Sequence, residues 1–234
     1  MKESMSQRIN AGKQKSGRVL VVDDHPIVRL GVASILDGAH DLECCGGLSE
    51  PSEVLAAVEA HRPDLVIADL RLGESSGLTL LRTLQERPDP VPVLVLSMHD
   101  ETVYAERALQ LGARGYVMKG APAAELLQAV RAVLGGNIYL SAAMTRRIVN
   151  RLGGKASADE PRNGPLDLLT NRELEVFELL GQGHTIRTIA KRLALGVKTV
   201  ETHRQHIKEK LNVSSSTEVV RRATLWVESG SGDH

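Results

Sequence analysis

Between residues 18 and 134, strand-like stretches, most of them runs of Val, Leu and Ile, alternate about five times with stretches whose apolar residues recur every three or four positions. The runs at 18–23, 41–46, 64–69, 91–97 and 114–118 predict strands, and 26–37, 51–61, 77–87, 101–111 and 122–134 predict helices. Unbroken apolar strands are buried on both faces, as a parallel sheet covered by helices requires. Right-handed crossovers then place helices on both sides, which gives an α/β doubly wound five-stranded parallel sheet. Pro51 suits the first turn of its helix, and Gly112 stands where the 101–111 helix should stop.

A further amphipathic helix is predicted over 141–152, with Met144, Ile148 and Leu152 on one side. Periodicity then ceases through 153–165, a stretch of turn-forming residues that reads as a flexible linker. Helical spacing resumes at Thr170, which forms a capping-box pair with Glu173. Leu174, Phe177 and Leu180 carry that helix forward until Gly181 and Gly183 end it. A short helix over 185–195, a Gly-containing turn and a longer helix over 198–211 make a helix-turn-helix, whose second member enters the major groove. The last helix spans 216–227. Four segments result: a disordered lead at 1–16, an α/β domain at 17–136, a linker at 137–166 containing the 141–152 helix, and a small all-α domain at 167–230.

Composition changes this picture little. The chain has 234 residues, 42% hydrophobic and 25% charged, with so few aromatics that the cores must be aliphatic. Cys44 and Cys45 are adjacent on a strand, point to opposite faces and offer no disulfide framework. No apolar run is long enough to span a membrane, and the polar lead lacks the apolar segment of a signal peptide, so a cytoplasmic protein is expected. The net charge of zero hides a division. Residues 17–140 hold 10 Lys/Arg against 17 Asp/Glu, whereas 185–211 hold 7 against 2. An acidic half fits a cation site, and a basic stretch fits a polyanion.

The candidate chemistry lies at strand ends, where open α/β sheets bind ligands. The run 63–77, PDLVIADLRLGESSG, closes a strand on Asp69. Alone, such an aspartate is equally a turn residue. Its company decides: the strand at 18–23 closes on Asp23 and Asp24, that at 91–97 on Ser97, and that at 114–118 is followed by Lys119. Clustered carboxylates suit a hard cation such as Mg2+, and a lysine and hydroxyl facing it are the groups that hold a phosphoryl oxygen.

Residues 17–136 resemble the receiver domain of two-component response regulators. The resemblance rests on Asp23 and Asp24, Asp69 with Gly77 eight positions on, Ser97, Tyr116 and Lys119 in the family's order and spacing. It implies a flavodoxin-like fold with Asp69 as phosphoacceptor. Mg2+ would be held by Asp23, Asp24, Asp69 and the backbone carbonyl of Arg71. Lys119 would pair with the phosphoryl group, and Ser97 and Tyr116 would form a switch in which Tyr116 moves inward. Gly73 and Gly120 stand where the family commonly has proline.

Residues 169–227 resemble the LuxR-type helix-turn-helix of the NarL/FixJ response regulators, through LTNRELEV at 169–176, IAKRL at 189–193, VKTVETHRQHIKEKL at 197–211 and TEVVRRA at 217–223. Asn171 and Gly196 replace the usual Pro and Ser. By this resemblance Lys198, Thr199 and Lys208 contact phosphates of double-stranded DNA, while Glu201, Thr202 and Gln205 face bases. The same pattern of exposed charge alone would suit a solvated face. Val219, Val220, Ala223 and Trp226 fall on the family's dimerisation helix, although Trp226 is equally readable as core. His203 and His206, one turn apart, have no third metal ligand at useful spacing, so packing or DNA contact is expected of them.

The whole reads as a transcription regulator rather than an enzyme, a homodimer when phosphorylated, with a sensor histidine kinase, DNA and RNA polymerase as partners. An aspartyl-phosphate enzyme would need an acid two residues after the nucleophile, where Arg71 stands. A second rival keeps DNA binding and makes the receiver a phosphorylation-independent dimer module.

Overall fold

The computed structural model describes residues 16–73, 75–152, 166 and 168–230; the 153–165 linker and the lead before residue 16 lie outside that range. Five strands, β1 (Gly17–Val22), β2 (Leu42–Leu48), β3 (Leu65–Ala68), β6 (Val93–Ser97) and β7 (Gly115–Met118), form one parallel sheet in the order β2-β1-β3-β6-β7. Each expected strand is present, within about two residues of its expected ends. Between them run α1 (Pro26–Asp37), α2 (Val54–His61), α3 (Gly77–Gln85), α4 (Glu101–Gln110) and α5 (Ala123–Leu134). Pro51 opens a 3-10 turn, Pro51–Glu53, ahead of α2 rather than the α-helix itself. Unexpected is a two-stranded antiparallel ribbon after Asp69, in which β4 (Arg71–Leu72) pairs with β5 (Ser75–Ser76).

Side-chain alternation on the strands builds two cores. Val19, Val21, Leu65, Ile67, Leu94 and Leu96 face one side, where Val32 and Leu36 of α1 and Leu126 and Val130 of α5 close on them. Leu20, Val22, Val66, Ala68, Val93 and Val95 face the other, covered by α2, α3 and α4. The two free cysteines divide the same way: Cys44 packs on the first core and Cys45 on the second.

The sheet's second core continues into the helical part. Helix α6 (Ala142–Leu152) follows the sheet, with Ser141 accepting from Met144 N (3.0 Å) and donating to Glu101 (2.7 Å), so that α6 is tied to α4. Beyond the linker come α7 (Asn171–Gly181), α8 (Ile186–Arg192), α9 (Val197–Lys210) and α10 (Ser216–Gly230). The capping box at Thr170 and Glu173 is formed as its spacing predicts. Helices α7 and α10 cross so closely that a Cβ on Gly181 would lie 2.4 Å from the Ala223 carbonyl oxygen. Leu174, Phe177, Val200, Ile207, Val219 and Ala223 fill the space between the helices.

Candidate functional site

Asp69 follows β3, Asp23 and Asp24 follow β1, Ser97 ends β6 and Lys119 follows β7. Parallel strands thus deliver four separate stretches of sequence to one edge of the sheet. Asp23, Asp69 and Ser97 are buried. Lys119 Nζ lies 2.7 Å from Asp23 Oδ2 and 2.6 Å from Asp69 Oδ2, with its side chain only 7% exposed. Burial draws the ammonium's pKa down, but hydrogen bonds to the two carboxylates outweigh it and leave the pKa raised. Lysine therefore stays charged at this edge and compensates the acids beside it.

Asp69 Oδ2 is used by Lys119, whereas Oδ1 is enclosed and makes no hydrogen bond among the described residues. A buried carboxylate oxygen without a partner is costly unless another group completes it. Ligand atoms of Asp23, Asp24, Asp69 and His25 lie within 4.8 Å of one another. Three of these four are carboxylates, the donors a hard cation takes, so the residues fit Mg2+.

His25 was not picked out by the sequence as part of this cluster. Its Nδ1 sits 2.7 Å from Asp24 Oδ1 and 3.2 Å from Asp23 Oδ1, and its backbone N–H donates to Asp23 at 2.9 Å. The departure at Gly73 also gains a reason. Gly73 has φ +58° and donates its N–H to Asp24 Oδ2 at 3.0 Å, two things proline cannot do. At Gly77 a Cβ would stand 2.2 Å from the Asp69 carbonyl oxygen and 2.6 Å from Leu70 Cα, so only glycine lets α3 start so close to the acid.

Ser97 Oγ accepts from the backbone N–H of His99 at 3.3 Å, and the His99 carbonyl accepts from the Tyr116 hydroxyl at 2.7 Å. Tyr116 is 1% exposed. The inward position reserved by the resemblance for the phosphorylated state is already taken, because the His99 carbonyl supplies the partner a buried phenol needs. In this conformation Tyr116 is inward.

His99 leads out of the site. Its ring lies 4.7 Å from that of Tyr104, and its Nε2 is 3.6 Å from Glu178 Oε1 on α7. Burial lowers the His99 pKa against the pull of that carboxylate, keeping the imidazole neutral. Tyr104 donates to Glu178 Oε2 at 3.1 Å, and Arg71 Nε stands 3.8 Å from Oε1. Arg107 donates to Asn171 Oδ1 and to the Leu166 carbonyl, each at 2.9 Å. Proline, which the resemblance expects at Asn171, would offer no such acceptor. Local periodicity gave no sign of Glu178 or His99, because their partners lie in the other domain.

On α9, Lys198, Thr199, Glu201, Thr202 and Gln205 are exposed and Lys208 is half-buried, while Val200 and Ile207 face the core. The sheet domain meets α7 and α10 through Tyr104, which reaches Glu178 and Trp226, and leaves this outer face open. Of the four residues expected at a dimer surface, Val219 and Ala223 are fully buried against their own domain. They are core residues in this conformation, a correction required by the close α7–α10 crossing. Val220 is half-buried, and Trp226 lies 5.9 Å from the Phe177 ring and 6.3 Å from that of Tyr104.

Residues 19–131 match the family of the response regulator receiver domain, and residues 167–223 match the LuxR family of bacterial regulatory proteins. The chain is 36% identical to the oxygen regulatory protein NreC of Staphylococcus carnosus (strain TM300) over 209 residues, covering 88% of this chain and 96% of that protein. It is 37% identical to NreC of Staphylococcus haemolyticus (strain JCSC1435), with the same coverage. Among solved structures it is similar to the response regulator ChrA of a heme-sensing two-component system (32% identity, TM-score 0.50, 90% of this chain and 97% of that one). RcsB of Salmonella enterica serovar Typhimurium, bound to promoter P1flhDC with the phosphomimetic BeF3−, shares the fold at TM-score 0.68 and 23% identity, over 90% of this chain and all of that one.

Proposed function

Because the chain belongs to the two-component response regulators that join a receiver domain to a LuxR-type DNA-binding domain, we propose that it is a transcription regulator switched by phosphoryl transfer from a sensor histidine kinase to Asp69. Its family is one of DNA-binding regulators, not classical enzymes. The observation that carries the proposal is the state of Asp69, with Oδ2 fixed by Lys119 and Oδ1 enclosed and unpartnered.

Asp69 Oδ1 attacks the phosphorus of the kinase phosphohistidine; the new O–P bond forms as the P–N bond breaks, and its electron pair returns to the imidazole nitrogen. Mg2+, held by Asp23, Asp24, Asp69 and the Arg71 carbonyl, would supply positive charge to the transferred oxygens. Lys119 moves from the Asp69 carboxylate to a phosphoryl oxygen, where the charge-assisted bond is short and strong. Ser97 turns its hydroxyl from the His99 N–H to the phosphoryl group. His99 then loses one of its anchors, and it is the residue beside Glu178.

Phosphorylation adds about −1.5 to −2 charges and new acceptors. A bond to a charged group contributes roughly 1.5–3 kcal/mol, and moving a two-state surface from 1:99 to 99:1 takes about 5.5 kcal/mol. Two or three such bonds therefore suffice. The docked receiver covers the Trp226 side of α10 and not the outer face of α9, so release would act first on dimerisation, through Val220 and Trp226. Lys198, Thr199 and Lys208 would then hold DNA phosphates while Glu201, Thr202 and Gln205 read bases, with RNA polymerase recruited in the cytoplasm.

The test compares duplex DNA affinity and sedimentation of the full chain, with and without Mg2+ and a small-molecule phosphodonor, in wild type and Asp69→Asn. Gains in dimer fraction and affinity confined to the wild type are expected. Equal behaviour of the two proteins would exclude Asp69 as the switch.

A further inference from the structure

A second cluster of metal-ligating side chains lies in the helical domain, apart from the receiver site. His203 and His206 are one turn apart on α9, and Glu173 reaches them from the first turn of α7. One nitrogen of each imidazole and one carboxylate oxygen of Glu173 lie within 4.8 Å of one another. The third ligand that sequence spacing did not supply thus comes from a residue whose local pattern shows only a helix cap.

Glu173 is 3% exposed. Its Oε2 accepts from the Thr170 N–H at 2.7 Å and from Lys210 Nζ at 2.6 Å. Oε1 faces His206 Nδ1 at 3.6 Å, beyond hydrogen-bonding distance. His203 Nδ1 is enclosed and makes no hydrogen bond among the described residues. An enclosed imidazole nitrogen without a hydrogen bond, on a residue clustered with a second imidazole and a carboxylate, is a group that a cation completes. His206 is about half exposed and leaves a way in from solvent.

We propose that Glu173, His203 and His206 form a binding site for a divalent transition-metal ion of the Zn2+ class, with water in the fourth position. Two imidazole nitrogens and one carboxylate oxygen are a Zn2+ donor set. Nitrogen donors disfavour Mg2+ and Ca2+, so this site and the carboxylate-rich receiver cluster select different ions. Lys210 remains on the other oxygen of the same carboxylate and its charge weakens the affinity. The ion is accordingly an accessory fastening of α9 to α7, in a domain whose apolar core closes without it.

The test titrates the full chain with Zn2+ alone while following imidazole 15N resonances by NMR. His203 and His206 should shift together, apart from any change at His25 in the receiver cluster. In His206→Gln, His203 should no longer respond and the affinity of this site should fall at least tenfold. His206 is exposed, so this variant keeps its fold, which an unchanged amide spectrum without metal verifies. The thermal midpoint should rise with Zn2+ in the wild type by more than in His206→Gln. A shift at His25 alone, or a His203 response equal in both proteins, would overturn the proposal.

Discussion

The phenol of Tyr104 donates across the domain boundary to the Glu178 carboxylate, 3.1 Å away. Burial first, and then the Glu178 charge, push the Tyr104 hydroxyl well above the usual phenol range, so it remains a donor. A hydrogen bond to a charged acceptor is worth roughly 1.5–3 kcal/mol. Tyr104→Phe keeps the ring beside Trp226 and removes only the donor. Docking should weaken by about tenfold or more, seen as a larger radius of gyration by small-angle scattering without phosphodonor. An unchanged radius and unchanged DNA affinity would mean the contact restrains nothing.

Asn171 offers a complementary test. Proline is well suited to the first position of a helix, so Asn171→Pro should leave α7 intact by circular dichroism. It removes the acceptor that Arg107 Nη1 reaches at 2.9 Å. Basal dimer fraction should rise in the variant and the gain on adding phosphodonor should shrink. A basal dimer fraction equal to that of the wild type counts against Asn171 as part of the latch.

Restoring the family's usual residue at position 73 should do harm. Gly73 is in the left-handed region, φ +58°, and its N–H holds Asp24. Gly73→Pro forces φ near −65° and deletes the donor, so the urea midpoint should fall by the equivalent of at least about 1 kcal/mol. Mg2+ affinity should fall with it, because Asp24 loses its fixed orientation. Stability equal to wild type would show that the loop has another conformation open to it.

Arg131 forms two hydrogen bonds of 2.8 Å with Asp41, tying α5 to the turn before β2. Those bonds lower the Asp41 pKa from 3.8 to about 2. A depressed carboxylate stabilises the fold above its unfolded value and ceases to do so as pH falls through its folded one, so this contribution fades between about pH 4 and pH 2. Carboxyl NMR titration should place Asp41 near 2 in the wild type and near 3.8 in Arg131→Met. No movement on substitution would remove Arg131 as the cause.

What was legible in the sequence was whatever depends on near neighbours. Most of the strands announced themselves by unbroken apolar runs, and the Thr170–Glu173 cap by its spacing. The strand-end acids and Lys119 were legible because a parallel sheet brings equivalent strand ends to one edge, whatever the distance along the chain. The β4–β5 ribbon was not, since two-residue strands leave no period to detect. Nor were His99 with Glu178, or Glu173 with His203 and His206: each pairing depends on how helices cross, which no single stretch records. Val219 and Ala223 were misplaced at a dimer surface for the same reason, the α7–α10 approach at Gly181 being invisible until both helices are in place.

The apolar cluster beneath α2, α3 and α4 runs unbroken into the helical domain. Parts that share packing melt together, since neither can open without exposing surface on the other. In its docked form the chain is therefore one cooperative unit, giving a single calorimetric transition. Undocked, it becomes two smaller units with separate transitions. The input at Asp69 would in this sense be stored as a change in how much of the polypeptide unfolds at once.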